Sequence, residues 1–108
     1  MTEYNVKSWV AFFQAFKRGE KKHDMRDLKD RDYQVGDILN LQEYDPFKGD
    51  YTGDEMRMKI TYITSHKTPC AFSSAALDKN YCILSLEPVT QDNANAPKWW
   101  RSYYHSRW

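Results

Sequence analysis

Trp9, Phe12, Phe13 and Phe16 recur at i, i+3, i+4 and i+7, the spacing that puts four aromatic rings on one side of an α-helix. Ser8 stands where a hydroxyl can accept a free first-turn N–H. Gly19, just after Lys17 and Arg18, is a fitting stop, with cations near the negative end of the helix. The spacing therefore predicts a helix capped by Ser8, with its aromatic stripe in the core. Residues 2–6 read as a short strand before it, and 21–25 as another after it. Residues 26–33 are charged throughout and read as a loop; 35–37 read as a turn in which Gly36 supplies the positive φ. A strand is expected over 38–44, then a wide hairpin connection over 45–53, where Pro46, Gly49 and Gly53 fall. Residues 56–63 alternate apolar and polar through Ile60, the mark of a half-buried strand. Residues 65–79 look irregular, with a helical turn at 73–77, and the last strand, 81–86, is stopped by Pro88.

Strand, helix, then strands joined by loops is the order of an α+β domain whose sheet is mainly antiparallel or barrel-like. A parallel α/β fold would need helices between the later strands, and no such periodicity is present. At 108 residues the chain supports one modest core, expected over residues 1–90, followed by a linker at 91–96 and an aromatic tail to residue 108. The longest uncharged apolar stretch, 8–16, is too short to span a bilayer, and nothing reads as a signal peptide. The expectation is a cytoplasmic protein without membrane attachment.

Candidate chemistry is sparse. Cys70 and Cys82 lack CxxC spacing, and His23, His66 and His105 are scattered singly, so neither a metal site nor a cofactor is implied. Ser65 beside His66 is the nearest approach to a nucleophile and base, but neighbours in a strand point to opposite sides. No phosphate-binding glycine loop or hydrolase elbow occurs.

Charge changes the picture more. The net charge of +1 hides +3 over residues 1–23, −6 over 24–55 and +4 over 56–108. The middle stretch holds Asp24, Asp27, Asp30, Asp32, Asp37, Glu43, Asp45, Asp50, Asp54 and Glu55. One strand of duplex DNA carries a phosphate about every 3.4 Å, close to the rise of an extended chain per residue. Carboxylates gathered on one face could imitate that track and dock on the basic channel of a DNA-handling enzyme. The plainer reading is a solvated acidic surface, with Asp37 capping its turn. Lys17, Arg18, Lys21 and Lys22 form a basic cluster at the helix end. Arg26 and Arg31 carry forks suited to phosphate or to the interleaved aspartates. The tail, 98–108, has five aromatics in eleven residues and either folds over the domain or forms a partner or homodimer interface.

The run Gly-Glu-Lys-Lys-His-Asp-Met-Arg (19–26), then Asp-Arg-Asp-Tyr-Gln-Val-Gly-Asp-Ile-Leu (30–39), Leu-Gln-Glu-Tyr-Asp (41–45) and Tyr-Thr-Gly (51–53) resembles the ASCH domain. More narrowly it is similar to a small ASCH-like family of phage and bacterial proteins, over about residues 4–87. The resemblance implies a PUA-like pseudo-barrel with helices at its ends and a cleft for RNA or modified bases. The matching cleft positions are Lys22, Asp24, Arg26, Arg31, Asp32, Gly36 and Asp37, with Lys21 beside them. Asp24 stands where the family usually has glutamate. Some ASCH enzymes are amidohydrolases using lysine, threonine and glutamate; residues 21–24 contain no threonine.

Three functions follow as expectations. The first is a non-enzymatic phage effector whose acidic surface imitates DNA and inhibits a host enzyme of DNA metabolism, with DNA gyrase the target the resemblance suggests. The second is a reader of RNA or modified nucleic acid at Lys21, Lys22, Asp24, Arg26 and Arg31. The third is an amidohydrolase acting on a modified nucleoside.

Overall fold

Strand β1, Glu3–Trp9, runs directly into helix α1, Val10–Arg18, and β2, β3, β4 and β5 follow at His23–Asp27, Ile38–Asp45, Asp50–Thr64 and Tyr81–Pro88. The computed structural model describes residues 1–29, 31–69, 71 and 77–89. The expected helical turn at 73–77, save Leu77, lies outside the described residues, as do the linker and the aromatic tail with its dimer interface. No helix among those described is long and apolar enough to cross a membrane.

The strands form one sheet in the order β1-β3-β4-β5-β2. It is mixed rather than purely antiparallel, because β1 pairs with β3 in parallel while the other three pairings are antiparallel. A parallel neighbour needs a crossover, and α1 with β2 supplies it. Among the described residues the result is a small, mostly-strand half-barrel with one short helix.

One face of the sheet carries the core: Val6 from β1, Leu39 and Leu41 from β3, Met56, Met58 and Ile60 from β4, and Cys82, Leu84 and Leu86 from β5. Each set recurs every second residue, as the pleat requires. Beyond Ile60 the β4–β5 register slips by one, so Thr61 is bulged and Ile63, not Tyr62, lies opposite Leu84. Phe13 and Phe16 of α1 close the core from the open side, both essentially inaccessible.

The helix differs from expectation at its start and on its stripe. Ser8 does not cap it: β1 continues through Ser8, which is buried opposite Glu43, and the capping position falls to Trp9, with no side-chain bond. Gly19 does end it, at φ 81°, with its N–H bonded to the Phe16 carbonyl. Only half of the aromatic stripe is core. Trp9 and Phe12 are each 51% exposed and stack on one another at 6.5 Å. A nine-residue helix resting on one sheet has room beneath it for two rings, not four.

Three boundaries also move. Residues 26–27 belong to β2 rather than to a loop. The connection between β3 and β4 is short, with strand resuming at Asp50, so residues 50–55 form an exposed arm beyond the core and Phe47, at its turn, is 99% exposed. Pro88 does not stop the strand at residue 86 but is itself the last residue of β5, opposite Met58. It is tolerated because β2 reaches no further along β5 than His23 opposite Ser85.

Candidate functional site

β1 and β2 are the outer strands of the sheet, and a free strand edge leaves carbonyls unpaired. Here the curl of the sheet brings the two edges together, and side chains join them. Arg26 Nη2 donates to the Lys7 carbonyl at 3.0 Å, Arg31 Nη1 to the Asn5 carbonyl at 3.2 Å, and the Tyr4 hydroxyl to the Asp32 carbonyl at 3.3 Å. Guanidinium groups thus stand in for a missing strand and close the half-barrel along a seam.

Arg26 reaches the seam because of its register. It lies opposite Cys82 and Asp24 opposite Leu84, so both point to the core face of β2. Their ion pair is 2.7 Å long, with side chains only 22% and 16% exposed. Desolvation offsets much of the attraction in such a pair, which makes its main consequence positional: it holds the guanidinium toward β1.

A cavity of about 360 Å³ lies along this seam, lined by Asn5, Lys7, Arg26, Arg31, Tyr33 and Tyr51, with Val6 and Asp27. That volume is within the usual range for small-ligand sites. Two cations in it rest on aromatic faces. Lys7 Nζ is 4.1 Å from the centre of the Tyr44 ring, which meets Tyr51 edge-on at 5.2 Å. The Arg31 guanidinium is 5.4 Å from the centre of the Tyr4 ring, which meets Tyr33 edge-on at 5.2 Å. Burial pushes the Tyr33 phenol above its ordinary pKa, partly opposed by Arg31 and Arg26, so it is a neutral hydroxyl at physiological pH. Fixed cations beside ring faces suit a planar ligand bearing a phosphate or carboxylate.

The sequence-derived cleft residues divide. Asp24, Arg26 and Arg31 come together at the seam. Lys21 instead sits at the end of α1, its ammonium 5.7 Å and 5.5 Å from the ring centres of Phe12 and Phe16. Lys22 precedes β2, its carbonyl accepting the Leu86 N–H. Nearby, Arg18 is paired with Glu20 at the surface. Lys7 and Tyr51 are not expected at a site; the one sequence signal for Lys7 is its place between Val6 and Ser8, whose side chains are buried, and no such alternation marks Tyr51 on the exposed arm.

The ten acids are not one ridge. Asp37 is buried at the turn before β3, accepting from the backbone N–H groups of Thr2 and Gln34 at 3.0 Å each. Its neighbour Gly36 has φ 98° and donates to the Ile60 carbonyl, so this turn locks β3 to β4. Glu43 is also buried, with Gln14 Nε2 on one carboxylate oxygen and Thr52 Oγ1 on the other, both at 2.7 Å. These two are interior supports, which removes them from any partner surface. Asp24 is paired with Arg26, Asp27 and Asp45 accept from backbone N–H groups of their own turns, and Asp32 accepts from the Gln34 amide. Asp50, Asp54 and Glu55 are exposed on the β4 arm, and Asp30 lies outside the described residues.

Nucleophilic chemistry finds little support among the described residues. Ser65 Oγ is buried with Thr68 Oγ1 3.3 Å away and the Lys67 N–H donating to it, while His66 is exposed. Burial pushes the Cys82 thiol above its ordinary pKa. Folding therefore favours the neutral thiol, and that contribution is complete below about pH 8.5 and lost as pH climbs through the raised value. Cys82 should resist alkylation in the native protein and react only on unfolding. A Cys70→Ser variant treated with a thiol reagent with and without denaturant checks this; rapid native labelling would contradict the buried placement.

A comparison with curated proteins finds no match. Residues 3–86, the whole of the sheet from β1 to the end of the core in β5, match the family model described as a domain of unknown function, DUF3850. The chain belongs to the DUF3850 family.

Proposed function

We propose that the seam is a nucleic-acid-reading cleft, non-enzymatic, in which Arg31 and Lys7 hold phosphate and the half-exposed Tyr51 offers a ring face to a base, with the buried Tyr33 forming the floor. The observation that carries this reading is the convergence of Lys7, Arg26 and Arg31 with tyrosines along one cavity. Cations interleaved with rings are what single-stranded nucleic acid requires of a sequence-tolerant site. On this reading the half-barrel is an ASCH-type, PUA-like pseudo-barrel and the protein works in the cytoplasm. The absence of threonine from residues 21–24 and the buried, bonded Ser65 speak against the amidohydrolase alternative.

Labelled single-stranded RNA or DNA should bind with a salt dependence set by two phosphates, a log–log slope of about −1.4. Raising salt from about 50 to 200 mM should then weaken the complex about sevenfold. Fluorescence anisotropy reads this directly. No complex at low salt, or a complex indifferent to salt, would overturn the reading.

One observation favours a second reading. Asp50, Asp54 and Glu55 are exposed along the β4 arm, where they offer an acidic strip to the basic surface of a host enzyme of DNA metabolism, with DNA gyrase as the proposed target of a phage effector. If that holds, the protein inhibits supercoiling and replacing all three acids by lysine restores it. Undiminished inhibition by the triple variant, or none by the parent, defeats it.

A further inference from the structure

A second and larger cavity, about 740 Å³, opens on another side of the molecule, between the segment after β2 and the end of β4. Among the described residues, Tyr33 is the one common to its lining and that of the seam. The bulge at Thr61 builds it. By slipping the register there, the chain turns Ile63 toward the core and leaves Tyr62 59% exposed beside the cavity. Leu28 and Ile63, both packed against the core cluster, make an apolar floor. Among the described lining residues, Lys67 and Lys79 stand against one acid, Asp32, whose carboxylate already accepts from Gln34. Lys67 is held by a fixed turn: Ser65 and Thr68 exchange backbone hydrogen bonds, and Thr68 Oγ1 donates to the Ile63 carbonyl.

An open ring face, an apolar floor and two ammonium groups, brought together in a space of ligand size, suit one chemistry. We infer that this cavity binds a small aromatic anion, its ring against Tyr62 and the Leu28–Ile63 floor and its charge between Lys67 and Lys79. Phosphate and carboxylate are both compatible with two ammonium groups, which recognise charge rather than planar geometry. The site is independent of the seam: it needs neither Arg31 nor Lys7.

The test is a titration of the isotope-labelled full chain with adenosine monophosphate, benzoate, adenosine and inorganic phosphate, read by amide chemical shifts. Adenosine monophosphate or benzoate should move the amides of Tyr62, Ile63 and Lys67. Adenosine and phosphate alone should bind at least about tenfold more weakly, since each lacks half of the recognition. The stronger of the two anions tells whether a nucleotide or an aromatic acid is the natural class. Lys67→Ala with Lys79→Ala, both at exposed positions, should weaken binding at least about tenfold with an unchanged melting curve. Arg31→Ala should leave it as it was. Silence of these amides, an affinity unchanged in the double variant, or shifts that appear at Lys7 and Arg31 instead would overturn the inference, the last without touching the seam reading.

Discussion

Truncating Phe13 to alanine should cost about 3–5 kcal/mol of folding stability, while the same change at Trp9 or Phe12 should cost under about 1 kcal/mol. Phe13 has no accessible surface and lies between α1 and the strands beneath it, so its removal leaves a cavity that a close-packed sheet cannot fill. Trp9 and Phe12 cover mainly each other. A single domain has only about 5–15 kcal/mol in total, so the Phe13 variant should unfold at far lower denaturant with an unchanged m-value. Urea unfolding of the three variants decides it. Equal losses at all three positions would mean that the exposed pair is covered in solution.

Arg26→Ala should be the second severe substitution, at about 2–4 kcal/mol. It strands the mostly buried Asp24 carboxylate without its partner and leaves the Lys7 carbonyl without its donor. Arg26→Lys should recover little, because one ammonium cannot bond Asp24 and span to β1 as the fork does. Adding Asp24→Leu to Arg26→Ala should restore much of the loss, by removing the uncompensated charge. Denaturant midpoints of the parent, Arg26→Ala, Asp24→Leu and the double variant form a double-mutant cycle, and strictly additive effects would show that the ion pair does not set the seam.

How far the sequence discloses this molecule depends on whether a residue's partners are near it in the chain. β4 is legible because Met56, Met58 and Ile60 alternate with charged neighbours, and the Gly36 turn because positive φ has few solutions. β2 is legible only in part: residues 21–25 read as a strand, but its end at Arg26 and Asp27 reads as loop, because the core-facing Arg26 is a charge satisfied by Asp24 rather than an apolar side chain. The helix stripe overstates the core because periodicity reports a side of the helix, not the width of what lies under it. Glu43 looks like surface charge until Gln14, 29 residues before it, and Thr52, nine after, supply its bonds. The seam is the extreme case. Asn5 and Lys7 meet Arg31 and Arg26 only because five strands curl far enough to bring the outer two together, and no local pattern encodes that.

The most direct test of the central claim is a chemical-shift map of the labelled protein with a short single-stranded oligonucleotide at low salt. The largest changes should fall on Asn5, Lys7, Arg26, Arg31 and Tyr51, and Lys7→Ala with Arg31→Ala should abolish them while the fold persists. Changes confined to the acidic arm at residues 50–55, or a spectrum that the oligonucleotide leaves untouched, would contradict it.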